Sequence, residues 1–192
     1  MIPTWLPPWL SADLSLISGF LTWIVVLSWL WRSGWKIQRR YFIEATQKPL
    51  TRNAIVWSAG IVGAIFFVAA QMRPGMPGVM TVAMIGVLSA YVDARTHRLP
   101  NAYTVAMAIG VVLGLAVGGV ISPLWQERLI GALLGALIWF VPIALLNRLP
   151  GGMGGGDVKL APVLGALVGS VGLHPAIFAL ALSFVSAGVA AL

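Results

Sequence analysis

Long apolar runs follow one another along this chain with few breaks, and they decide what it can fold into. They cover roughly residues 12–31, 54–71, 78–92, 101–121, 129–147, 158–172 and 175–192. Runs of this length with almost no charge are transmembrane candidates. In a bilayer every backbone amide must find its partner within the protein, and at these lengths the α-helix does so within each segment. The expected fold is therefore all-α, a polytopic transmembrane helical bundle of about six to seven spans. The sixth run is short and the seventh ends at Leu192. Only 9% of residues are charged and mean hydropathy is +0.95, whereas a soluble domain carries about a quarter charged residues. The first run, Ala12 to Trp31, has no basic region before it and is long enough to span, so an anchor is expected rather than a cleaved signal. Residues 1–53 are expected to form an N-terminal anchor with a basic cytoplasmic loop, and 54–192 a transmembrane core.

A net charge of +7 would suggest nucleic acid in a soluble protein, but the placement of these charges argues for topology. Arg32, Lys36, Arg39, Arg40, Lys48 and Arg52 fall between the first two runs. Arg95 and Arg98 follow the third, and Arg148 and Lys159 follow the fifth. If the spans alternate, these share one face, and only Arg73 and Arg128 of the 12 basic residues lie on the other. The positive-inside rule makes the basic face cytoplasmic, in contact with anionic membrane lipids, and nucleic acid is not expected as a partner. Trp5, Trp9, Trp29, Trp31 and Trp35 bracket the first span as interfacial aromatics. Segment 35–47, "WKIQRRYFIEATQ", leaves two readings open, an interfacial helix or a solvated basic loop. Pro142 and Pro162 fall within spans and are expected to kink or open them. Cysteine is absent, which excludes disulfides, thiol catalysis and cysteine-type zinc sites; no metal or cofactor is expected.

Five acids remain to carry chemistry. Glu44 and Glu127 lie in loops, and Asp13 is expected to cap the first helix. Asp93 and Asp157 are different, because each sits at the cytoplasmic end of an apolar helix, where an acid is costly unless paired, hydrated or functional. Asp93 ends the third span in "GVLSAYVDARTHRLPNAYTV". Pro100 biases Leu99 away from helix, and Asn101 is expected as the N-cap of the next span. Asp157 opens the sixth span after "GGMGGG". A phosphate loop would require Lys and Ser or Thr where this acid stands, so phosphate binding is disfavoured. Gly154, Gly155 and Gly156 are instead expected to give tight backbone curvature and room for an extended peptide.

Two carboxylates in a semi-dry site can share a proton, one acting as base on a water while the other polarises a carbonyl. The helix dipoles favour Asp157 as the anion and Asp93 as the acid, while Arg95, Arg98 and Lys159 favour ionisation of both. Two other classes use the same residues: a transporter relaying protons or ions through the two acids, and a membrane scaffold with both acids as helix caps.

The "GGGD" of Gly154–Asp157 followed by Lys159, with Asp93–Asn101 upstream, resembles the type IV prepilin peptidases, which are GxGD-type intramembrane aspartic proteases related to preflagellin peptidases. The resemblance covers about 78–192. It implies Asp93 and Asp157 as the catalytic pair, Gly154 and Gly156 as the motif glycines, and Gly155, Lys159, Arg95, Pro100 and Asn101 as shaping or substrate-binding residues. It also implies cleavage of the basic leader of prepilins or pseudopilins at the cytoplasmic face of the bacterial inner membrane. The short loop at 32–53 and the lack of cysteine set the chain apart from members with a zinc domain and an N-methyltransferase activity, and bring it closer to compact, peptidase-only members. Signal-peptide-peptidase and presenilin proteases share GxGD, but no Pro-Ala-Leu motif follows here.

Overall fold

A computed structural model describes residues 8–70, 75–150 and 153–190. Trp5, Arg73, Gly151, Gly152 and Leu192 lie outside the described residues. The helices are α1 (Pro8–Arg32), α2 (Ile37–Glu44), α3 (Arg52–Ala69), α4 (Met76–Thr96), α5 (Asn101–Ile121), α6 (Trp125–Asn147), α7 (Gly155–Gly169) and α8 (Leu173–Ala190), with a 3-10 turn at Gly34–Lys36. No strand occurs among the described residues. Helices α1, α3, α4, α5 and α6 are long and apolar enough to cross a membrane. The chain is thus a multi-pass helical membrane protein, and its outward Leu, Ile, Val and Phe side chains are suited to lipid. The 15 residues of α7 rise only about 22 Å, less than a hydrocarbon core of about 30 Å.

The chain forms two compact units, Met1–Pro123 and Leu124–Leu192. In the first, α4 is central and packs on α1, α3, α5 and α2. Met76, Met80 and Met84 recur every fourth residue along α4, and with Ile85, Leu88 and Val92 they form a fully buried stripe. Helices α4 and α5 meet where α5 lacks side chains. A Cβ on Gly110 would strike Thr81, and one on Gly114 would lie 2.8 Å from the Gly78 nitrogen.

In the second unit α6 and α7 make the most extensive pairing, with α8 packed against both. Gly131 and Gly135 of α6 face Gly169 and Gly165 of α7, so backbone lies on backbone. A Cβ on Gly135 would sit 2.7 Å from the Gly169 Cα, and one on Gly165 would fall on the Gly135 carbonyl. Such small-residue spacing is how helices approach closely in lipid. Beyond the glycines, Trp139, Ile143 and Ala161 form the buried cluster, with Val158 and Met153 packed on it. The Trp139 indole donates to the Ala176 carbonyl at 2.9 Å and ties α8 to α6.

Several local expectations change. Asp13 is exposed inside α1, which begins at Pro8, so it is no N-cap; proline suits a first helical turn, where its missing N–H costs nothing. Pro100 takes the cap position of α5 and Asn101 is the first helical residue, because the Pro100 carbonyl already accepts from the Tyr103 and Thr104 amides. Helices α6 and α7 continue through Pro142 and Pro162 without a break. Segment 35–47 is largely helical, as one of its two readings held. Its inner face, however, packs on protein, with Gln38 and Phe42 both 1% exposed.

Candidate functional site

Asp93 lies in the last turn of α4 and is half-buried. Thr96 Oγ1 bonds back to the Val92 carbonyl at 2.8 Å, and the helix closes at His97, whose amide donates to the Asp93 carbonyl at 2.8 Å. His97 is left-handed, with φ 51°, a conformation that favours glycine. Buried Pro100 then starts α5. Proline bars a helical residue before it, so Asp93 stands just ahead of a sharp elbow.

The two arginines after Asp93 are engaged elsewhere. Arg95 lies over the Tyr91 ring, 5.8 Å from its centroid, the usual partner one helical turn away. Arg98 pairs with the Glu44 carboxylate, which also takes Arg40 at 2.7 Å. Arg95 and Arg98 thus each have a partner of their own beside the Asp93 turn. The hydrogen bond from Arg40, followed by the Arg40 and Arg98 charges, holds the Glu44 carboxyl below the usual range.

Asp157 is the third residue of α7, after Gly155 and Gly156, with Gly154 as N-cap. Its amide donates to the Gly154 carbonyl at 3.1 Å, and its Oδ2 passes 3.5 Å from where a Cβ on Gly154 would stand. A carboxylate in a first helical turn sits against the positive end of the helix dipole. Gly154 has φ −66° and ψ 149°, which any residue adopts, so the tight curvature expected of these glycines is absent. What they leave is space, since nothing lies within 4 Å of a Cβ added at Gly155. Lys159, two residues further along α7, is exposed.

The glycine contacts between α6 and α7 fix a register that sets Asp157 level with Ile143. Asp157 is thus one turn, about 6 Å, short of the end of α6 at Asn147. The Asn147 amide caps this arrangement by donating to the Met153 carbonyl. The residue after Asp157, Val158, packs on the buried cluster of Trp139, Ile143 and Ala161. A cavity of about 340 Å³ in this unit, lined by Glu127, Arg128, Gly131, Ser170 and Leu173, is at the other end of α7. Among the described residues no group of three or more His, Asp or Glu could hold a metal ion.

Glu44 and Gln47 were not singled out by sequence. Each touches the Asp93 elbow across about 50 residues, and nothing in a loop's composition marks such a contact. The one available clue was that Glu44 is the lone acid among the basic residues of that loop.

Residues 79–192 match the Type IV leader peptidase family, and both Asp93 and Asp157 fall within the match. The "Prepilin leader peptidase/N-methyltransferase" of Bacillus subtilis (strain 168) is 34% identical over 128 residues, which is 63% of this chain and 48% of that protein. The chain thus spans about half the length of that curated relative. No solved structure matches. On this match over more than half its length, the chain belongs to the type IV leader peptidase family.

Proposed function

We propose that this protein is an aspartic-type prepilin peptidase of the bacterial inner membrane, with Asp93 and Asp157 as its catalytic pair. The observation that carries the reading is that the family match contains two half-buried aspartates, each in the terminal turn of an apolar helix. The placement of basic residues in the sequence supports a cytoplasmic face for both helix ends. There the leader of a prepilin or pseudopilin presents its scissile bond.

In the proposed reaction one carboxylate takes a proton from water, and the water oxygen attacks the peptide carbonyl carbon. The other, protonated, carboxyl hydrogen-bonds to the carbonyl oxygen as it gains charge. Collapse of the tetrahedral species breaks the C–N bond, with a proton delivered to the leaving amine. The pair then shares one proton again. Asp157 stands in the first turn of its helix and Asp93 in the last turn of its own. The space above Gly154 and Gly155 admits an extended backbone. The relative's N-methyltransferase activity is not carried over, because the match covers only 48% of that protein.

The test is co-expression of the protein with a type IV prepilin carrying its leader, followed by the mass of the pilin. Wild type removes the leader. Asp93→Ala and Asp157→Ala each leave it in place, with rates down by at least about 10²–10⁴-fold. Cleavage retained in either variant refutes the pair, and an intact prepilin with wild type points to transport or a scaffold instead.

A further inference from the structure

The segment before α3 folds onto the Asp93 elbow through contacts distant in sequence. It is first closed into a loop. The buried Gln38 amide donates to the Leu50 carbonyl at 3.0 Å and its oxygen accepts from the Leu50 amide at 3.3 Å. The loop is seated by Phe42, which stacks on Tyr91 with centroids 6.1 Å apart, and by the Tyr103 hydroxyl, which donates to the Gly34 carbonyl at 3.1 Å. So anchored, it reaches both sides of the elbow. The Gln47 amide donates to the Arg95 carbonyl at 2.9 Å, and Glu44 holds Arg98.

Two features show that these contacts are more than loop packing. First, the only non-glycine residues with positive φ among those described are Thr46, at 55°, and His97, at 51°. One adjoins Gln47, and the other lies between Arg95 and Arg98, so backbone strain collects on both sides of one contact. Strain of this kind persists only where surrounding structure enforces it, and it collects at functional sites. Second, α2 meets α4 on its Tyr91–Arg95 side. Helix geometry turns Asp93 roughly to the opposite side, so the loop grips the turn from the side away from the half-buried Asp93.

We propose that segment 34–50, which precedes the family match, is a clamp that positions the Asp93 turn, with Glu44 and Gln47 as its positioning residues. The proposal rests on the reading of Asp93 as catalytic. Neither residue touches substrate. They fix where the carboxylate stands by holding the backbone two residues after it and the arginine five residues after it.

The experiment uses the full chain in nanodiscs with a type IV prepilin, and measures kcat, KM and amide hydrogen exchange over residues 91–98. Glu44→Gln and Gln47→Ala each lower kcat by roughly 1.4- to 5-fold, the span of exposed polar pairs, with KM unchanged and faster exchange at 91–98. Glu44→Arg lowers kcat likewise, and adding Arg98→Glu restores it, which a general loss of fold would not do. Unchanged kcat in both single variants while Asp93→Ala is inactive overturns the clamp, as does a loss confined to KM. If Asp93→Ala still cleaves, the catalytic reading is what fails. The exchange data then decide the clamp alone, and unchanged protection at 91–98 overturns it.

Discussion

Substituting Gly165 with alanine tests whether the α6–α7 seam holds Asp157 at its level. The added methyl would meet the Gly135 carbonyl and lie 2.8 Å from the Trp139 Cβ and 2.9 Å from the Gly135 carbonyl carbon. Ordinary contact begins near 3.4 Å, and two of these three neighbours are backbone, which cannot swing aside as a side chain end would. The helices must part by several tenths of an ångström or more, along a seam whose stability comes from close packing. Overpacking of this kind costs about 1–3 kcal/mol. Gly155→Ala is the control, because its methyl enters open space and alanine favours helix by up to about 1 kcal/mol. Unfolding of both variants in mixed detergent micelles gives the free-energy difference directly. Gly165→Ala should lose about 1–3 kcal/mol, and Gly155→Ala should lose nothing. Equal stability of Gly165→Ala and wild type would refute the seam, and a comparable loss in Gly155→Ala would refute the open space at the foot of α7.

Three further outcomes follow from local geometry. His97→Gly should raise the unfolding midpoint and His97→Val lower it, since the left-handed region costs an L-residue roughly 1–2 kcal/mol and a β-branched one more; both are read by thermal scanning in detergent. Tyr103→Phe should cost about 1 kcal/mol in the same assay, because the buried Gly34 carbonyl, which also accepts from the Ile37 amide, loses one of its two donors. Glu44 has its carboxyl pKa depressed in the folded protein, so its contribution is present above the ordinary carboxylate pKa and lost as pH falls through the lower, folded value. The stability difference between wild type and Glu44→Gln should accordingly be seen at neutral pH and low salt, shrink in high salt, and vanish in strong acid.

The helices were legible because lipid imposes a simple rule: apolar runs of sufficient length must be helices, and charges mark their ends. Pro100 made the elbow after Asp93 readable, as it bars a helical Leu99. The start of α1 was misread because Asp13 resembles a cap while Pro8 begins the helix. The α6–α7 seam carried a readable signal in the four-residue spacing of Gly131–Gly135 and Gly165–Gly169. What sequence could not reveal was the seating of segment 34–50. Gln38, Glu44 and Gln47 look like ordinary polar loop residues, and only the fold shows that Gln38 is buried while the other two reach the elbow. The glycines before Asp157 were assigned a bend that the backbone does not make, because a run of glycine signals freedom without saying whether it is used as curvature or as space.

The shortness of α7 bears on the membrane itself. A helix of 15 residues beside one of 23 leaves a step in the protein's hydrophobic height, and lipid must thin or water must descend to fill it. Bilayer thickness thereby becomes a determinant of hydration around Asp157. Short acyl chains match α7 and bring the headgroup region to its ends, whereas long ones carry hydrocarbon past them. Through that step, the composition of the surrounding membrane acts on a group that no lipid needs to touch.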